Sequence, residues 1–153
     1  VTTVSVAARA DEDALLEALA MKHGEDGFGQ FDHAKVREII RRGIRWEMAV
    51  IGVIRGRKGV EGSVGLYCES PWWTQDAVLM DRWLFVSPDH RKSAHAKDLI
   101  GFAKWASTYM GKPLMMSVAI TEATIQKSKL YERQFKRQSG AIFLFHPEVA
   151  PAA

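Results

Sequence analysis

From residue 84 to residue 100 the chain runs Leu-Phe-Val-Ser-Pro-Asp-His-Arg-Lys-Ser-Ala-His-Ala-Lys-Asp-Leu-Ile: an apolar strand, a basic turn, then the start of a helix. Ser93, Ala94 and Ala96 are small residues placed where that helix begins, and Arg91, Lys92 and Lys97 surround them. The first turn of a helix carries amide donors without intrahelical partners and a partial positive charge. Small side chains there let a phosphate reach the backbone, and the neighbouring cations add full charge. The segment therefore reads as a pyrophosphate seat. A merely solvated basic turn is the competing reading, and the small residues directly after the cations weigh against it.

Other reactive side chains are more scattered. Trp72 and Trp73 form an indole pair just beyond Glu69, suited to stacking on a planar or cationic substrate, and equally to capping a sheet or making an oligomer contact. The histidines at 23, 33, 90, 95 and 146 offer no pair at metal-ligand spacing with a carboxylate on the same helix face, so no catalytic metal is expected. His90 and His95 are expected to flank the basic turn without a special duty. Cys68, alone, excludes an internal disulfide and a cysteine metal cluster, and it suits packing in a strand better than nucleophilic work.

The elements that must position these residues follow from periodicity. Val4 to Ala8 predicts a short strand, and Asp11 precedes Leu15, Leu16 and Leu19 on one helical face. Asp32 is placed to cap a second helix carrying Val36, Ile39 and Ile40, with Gly43 at its end. Met48 to Ile54 is an apolar run of strand length, the stretch from Arg55 to Gly59 a hairpin loop, and Ser63 to Cys68 the returning strand. A loop over 71–76 leads to a third strand from Leu79 to Val86. The period then changes: Ala96, Leu99, Ile100, Ala103 and Ala106 predict a helix ended by Gly111 and Pro113. A strand from Leu114 to Ile120, a helix from Ala123 to Phe135 and a last strand from Ala141 to Phe145 complete the order. Three consecutive strands imply an antiparallel meander, while the strand-helix-strand unit from Leu79 to Ile120 implies a parallel pair. The fold class is α/β, a mixed central sheet flanked by helices.

Strand, Val86-x-Pro88, two residues, then Arg91-x-x-Ala94-x-Ala96 resembles the acetyl-CoA signature of the GNAT superfamily, in which the first small position is usually Gly and the second Gly or Ala. The segment from Val6 to Leu16 is similar to that family's first strand and acidic helix start. Leu130-Tyr-Glu-Arg-Gln-Phe-Lys136 resembles its late Leu-Tyr-Glu-basic-Gly-Phe motif with Gln134 in place of Gly, and Thr124 stands where the family often has Asn. The resemblance covers nearly the whole chain and implies a GNAT-like acyl-CoA N-acyltransferase fold: one domain over 1–146, followed by a tail over 147–153.

The resemblance also implies roles. The peptide groups of Leu84, Phe85 and Val86 would pair with the pantetheine arm of acetyl-CoA. Arg91, Lys92, Ser93, Ala94, His95, Ala96 and Lys97 would seat its diphosphate, and Thr124 would belong to the same site. The thioester would enter a splayed gap between the strand ending at Val86 and the strand from Leu114. Tyr131 matches the frequent general acid, which protonates the leaving thiolate. The attacking amine must lose a proton, for which Asp81 and Glu69 are the candidate bases. The expected reaction is direct acetyl transfer to a primary amine of a small molecule or protein, in a ternary complex without an acyl-enzyme.

Composition sets the outer limits. With 153 residues the chain is the size of one domain, able to bury roughly 70% of its unfolded surface. Its 47% apolar and 25% charged residues are ordinary for globular proteins, and no tract is apolar enough to span a bilayer. No secretory signal pattern is visible, which leads to an expectation of cytoplasmic residence. The net charge of +3, from 21 basic and 18 acidic residues, suits an anionic ligand. Two other functions stay open. A GNAT-like binding or assembly module without catalysis is suggested by the departures at Ala94, Thr124 and Gln134. A nucleic-acid-modifying relative is suggested by Arg37, Arg41, Arg42 and Arg45 together with Arg55, Arg57 and Lys58, and is less favoured because such residues usually make solvated faces. A homodimer is also compatible with the sequence.

Overall fold

An unbroken apolar run demands cover on both faces, and the run beginning at Met48 receives it. The structure, a computed structural model, describes residues 3–117 and 124–135. It contains β1 (Ser5–Val6), α1 (Glu12–Asp26), α2 (His33–Ile44), β2 (Ala49–Gly56), β3 (Gly59–Glu69), β4 (Val78–Val86), α3 (His95–Met110), β5 (Leu114–Met115) and α4 (Thr124–Gln134), with single 3-10 turns at Arg9–Asp11 and Pro88–His90. The chain divides into two compact units, Val1–Met116 and Ser117–Ala153.

The sheet has the order β1-β2-β3-β4-β5. Its first four strands pair antiparallel in sequence order, and β5 joins β4 in parallel. A parallel partner requires a crossover, and α3 supplies it. In β2 the pleat sends Ile51 and Val53 into a core with Leu15, Leu16 and Leu19 of α1 and Ile40 of α2. Gly52 instead faces the Phe102 ring of α3. Alternate residues of one strand thus serve helices on opposite faces, as a fully apolar strand requires.

Several local expectations are refined. Gly43 is the last residue but one of α2. It is buried inside the helix, and a Cβ there would lie 2.5 Å from Ile51 Cδ1, so glycine is present because helix and sheet touch. The chain leaves α2 through Trp46 and Met48, both at positive φ (58° and 52°). Asp32 caps α2 as expected, accepting the Lys35 amide at 2.9 Å. The hairpin turn is only Arg57-Lys58, because Arg55 and Gly56 remain paired and Gly59, at φ 126°, closes the loop. The helix expected from Lys92 begins at His95, and Gly111 ends it in the left-handed conformation at φ 62°. Of the strand expected over 114–120, Leu114 and Met115 are strand, Met116 and Ser117 are not, and 118–120 lie outside the described residues, as does the strand expected over 141–145.

Two β-bulges interrupt the sheet. Gly62 pairs with Ile54 and Val60 with Arg55, which leaves Glu61 as the extra residue of β3. Gly65 pairs with Trp83 and Leu66 with Asp81, which leaves Arg82 as the extra residue of β4. Bulges bend a strand and re-aim the side chain they leave unpaired.

Candidate active site

The pyrophosphate candidate is built from the C-terminal end of β4, the turn after it and the first turn of α3. Val86 ends β4, and the chain is pinned there because Ser87 N–H donates to the Glu61 carbonyl at 2.9 Å. Pro88, at a position whose amide is not needed, starts the 3-10 turn. The turn then tightens: His90 N–H bonds the Ser87 carbonyl at 2.9 Å, Ser93 N–H the His90 carbonyl at 3.0 Å, and the Ser93 hydroxyl accepts the His95 amide at 3.1 Å. Ala94 caps α3 at φ −78° and ψ 0°, a conformation that alanine adopts without strain. Lys92, Ser93, Ala94 and Lys97 are exposed and Ala96 half-buried, so the first-turn amides open to a surface carrying two lysines. His95 is buried. Arg91 donates to the Val86 carbonyl at 3.3 Å and pairs with Glu25 of α1, so this cation already has an acidic partner.

The strand leading into the turn offers an open edge. β5 pairs with β4 only at Leu79–Leu114 and Met80–Met115. Among the described residues, the edge of β4 from Arg82 to Val86 has no strand beside it on that side. The side chains of Leu84 and Phe85 are buried, 8% and 3% exposed, so what this edge presents is backbone. A strand edge that presents backbone can accept an extended ligand as it would an added strand, and here Arg91 already bonds the Val86 carbonyl.

The remaining candidates separate. Glu69 ends β3 opposite Val78, and Asp81 lies opposite Leu66. By the alternation of β3, Glu69 shares a face with Tyr67 and the α1–α2 core, while Asp81 shares the face of Leu66, the one α3 covers. The two carboxylates therefore do not converge on one point. Trp72 and Trp73 are 92% and 64% exposed and meet edge to face at 5.6 Å in the loop before β4. That loop and the basic turn flank opposite ends of β4, a nine-residue strand and so roughly 30 Å long. Thr124 is the first residue of α4 and Tyr131 lies in its second half, both in the second unit. Tyr131 is buried, and its ring lies 5.6 Å from that of Phe135.

Two groups of residues gain a place the sequence did not give them. A small cleft is lined by Ile39, Arg42, Glu47, Tyr67, Cys68, Arg82 and Trp83, among others. In it the bulge residue Arg82 stacks its guanidinium 4.0 Å over the Tyr67 ring. Burial, reinforced by the nearby Glu69 charge, pushes the Tyr67 hydroxyl above the ordinary tyrosine range, and burial likewise raises the Cys68 thiol. Cys68 is thereby held as a thiol, in keeping with a packing role. The second group is Glu61, His90 and His95, whose ligating atoms all lie within 4.8 Å of one another. Spacing along a helix does not reveal this cluster, because the carboxylate arrives from a strand.

Solved structures match the fold of this chain over nearly its whole length. A ribosomal-protein-alanine N-acetyltransferase from Brucella melitensis biovar Abortus 2308 matches at TM-score 0.73 and 16% identity, covering 95% of this chain and 98% of that one. An aminoglycoside antibiotic 6'-N-acetyltransferase from Acinetobacter haemolyticus matches at 0.70 and 13% identity, covering 97% and 99%. An acetyltransferase from Trypanosoma brucei matches at 0.66 and 19% identity, covering 95% and 100%. The fold is that of the GNAT acetyltransferases. No protein-family profile matches the sequence, and no curated protein matches it either. In this fold the strand-turn-helix from Leu84 to Lys97 has alanine as the N-cap of α3.

The basic residues raised as a nucleic-acid surface are largely engaged. Arg37 and Arg41 bond Glu12, Arg45 bonds Glu38 and Glu47, and Arg55 bonds Asp11. Arginines already paired with carboxylates offer little net charge to a phosphate backbone. Among the described residues, no helix is long and apolar enough to cross a membrane.

Proposed function

We propose that this chain is an acetyl-CoA-dependent N-acetyltransferase that moves an acetyl group directly to a primary amine. The observation that carries the reading is the continuity of a β4 edge that no described strand covers from Arg82 to Val86, a tight basic turn and an α3 N-terminus flanked by small residues. Pantetheine would add along the peptide groups of Leu84, Phe85 and Val86. The diphosphate would sit over the turn from Arg91 to Lys97, with Lys92 and Lys97 adding charge and Arg91 released from Glu25 or sharing it. By the resemblance, Thr124 joins the cofactor site and Tyr131 protonates the departing thiolate.

The base belongs on the side from which the amine arrives. Glu69 suits that role better than Asp81, because it is exposed at the end of β3, next to the loop carrying Trp72 and Trp73. The indoles would then hold a cationic or planar acceptor. The solved neighbours include enzymes for aminoglycosides and for a ribosomal protein, and the acceptor proposed here is a primary amine of either kind, small molecule or polypeptide. Because those neighbours align over 95% or more of the chain, residues 1–146 are proposed as one catalytic domain.

Calorimetric titration with acetyl-CoA tests the first step: one site per chain is expected, and no binding at millimolar cofactor overturns the reading. Release of coenzyme A in the presence of an amine panel tests the second. A module that binds without catalysis would give the first result without the second, and the Arg91–Glu25 pair at the diphosphate seat is the observation that favours it.

A further inference from the structure

We propose that Glu61, His90 and His95 form a site for a divalent transition-metal ion of the zinc class, on the inner side of the turn between β4 and α3. The donor set comes from three separate elements. Glu61 is the bulge residue of β3, His90 ends the 3-10 turn, and His95 opens α3. The bulge is what delivers the carboxylate. Val60 packs with the α1–α2 core, whereas Gly62, two residues on, meets Leu99 of α3. In a regular strand these two residues would share a face, so the extra residue between them is free to turn its side chain toward α3. That side chain lies over Gly56, where a Cβ would collide with the Glu61 carboxyl.

The two nitrogen–oxygen distances lie near those between ligands around a metal. Glu61 Oε2 lies 2.9 Å from His95 Nε2, Glu61 Oε1 lies 3.4 Å from His90 Nε2, and all three ligating groups fall within 4.8 Å. A tetrahedral zinc with bonds of about 2.0–2.1 Å holds its ligand atoms about 3.3 Å apart. The two imidazoles stack with planes 12° apart and centroids 5.2 Å apart, and each brings its Nε2 to a different oxygen of the Glu61 carboxylate. His90 Nδ1 lies 2.8 Å from Ser87 Oγ. With the proton on Nδ1 donated to that hydroxyl, Nε2 keeps its lone pair toward the site, the outer contact that metal-bound histidines usually have. His95 is 6% exposed, which fixes its ring by packing. A structural ion pair accounts for one imidazole on Glu61. The second imidazole, on the other carboxylate oxygen and with its own orienting hydroxyl, is what a metal site explains.

Two imidazoles and one carboxylate suit Zn(II), Co(II), Ni(II) or Cu(II) rather than Mg(II) or Ca(II), and leave a fourth position for water. The inference is independent of the acetyltransferase reading, since it concerns the inner side of the turn and is read without cofactor.

The test uses the untagged full chain, stripped with chelator and titrated with Co(II) alone under visible absorption, then with Zn(II) in competition. One equivalent of Co(II) should give the intense d–d bands of a four-coordinate site, and Zn(II) should abolish them stoichiometrically. His90→Asn and Glu61→Gln, each checked for folding by circular dichroism, should each weaken binding by at least about tenfold. His90 is half-exposed, so its replacement leaves the core intact and keeps the test readable even if Glu61→Gln unfolds. Absence of stoichiometric binding overturns the proposal. So does binding of wild-type strength in both folded variants, which would place the metal on the other histidines.

Discussion

At the scale of single residues, Asp11 shows how a side chain from the sequence acquires its function only through a distant partner. It is 7% exposed, accepts the Ala8 amide at 2.7 Å and takes Arg55 Nε and a terminal nitrogen at 2.7 and 2.6 Å. The Arg55 bonds hold its carboxyl below the usual carboxylate range against the opposing effect of burial, and the Ala8 amide helps. A depressed folded pKa means that the stabilisation is present above the unfolded carboxylate pKa and fades as pH falls through the folded one. Asp11→Asn should cost about 1–3 kcal/mol at neutral pH, and the loss should shrink in acid, as measured by urea unfolding across a pH series. Tyr131 makes a prediction about chemistry instead. If it is the acid, Tyr131→Phe should lower kcat by about 100-fold or more while leaving acetyl-CoA affinity unchanged, a split that steady-state kinetics with calorimetry resolves. The motif made Tyr131 visible in the sequence. Nothing local marked Glu61, because its significance depends on a strand bulge and two histidines about 30 residues away.

At the scale of elements, glycines mark where one element touches another. A Cβ at Gly65 of β3 would fall onto the ring of Trp83, whose indole N–H donates to the buried Ser63 hydroxyl at 3.1 Å. Gly65→Ala should displace that ring and cost about 1–3 kcal/mol, seen as a lowered Tm together with a changed tryptophan fluorescence. At the start of α3 the argument runs the other way. Ala94 is unstrained there, so Ala94→Gly should leave stability within about 1 kcal/mol, and by removing a methyl from the diphosphate approach it should tighten acetyl-CoA binding several-fold. Periodicity located α2, β2, β3, β4 and α3 to within a few residues, since each has a continuous or regularly spaced apolar face. It put the end of α2 at Gly43, one residue before the helix stops, but glycine also permits close packing, and only the position of Ile51 shows that this applies at Gly43.

For the whole molecule, the expected property is linkage between cofactor and fold. A ligand that binds only the native chain stabilises it by about 2.7 kcal/mol at a hundredfold excess over Kd, so acetyl-CoA should raise Tm in a concentration-dependent way, and Tyr131→Phe should show the same rise. Binding to DNA or RNA, by contrast, should be weak and non-specific, because the α2 arginines face carboxylates of α1, α2 and the following turn. The sequence by itself determined the order of the described elements and the mixed sheet, and it singled out the segment proposed to seat a phosphate, since period, punctuation and small residues at a helix start are local properties of the chain. Only the tertiary structure decided that Glu69 and Asp81 lie on opposite faces, that Arg91 is paired with Glu25, and that Glu61 meets His90 and His95. Those facts depend on register, on two one-residue bulges and on which strand edge is left open. A register shift of one residue reverses every side chain beyond it, and no local pattern in the sequence records where it occurs.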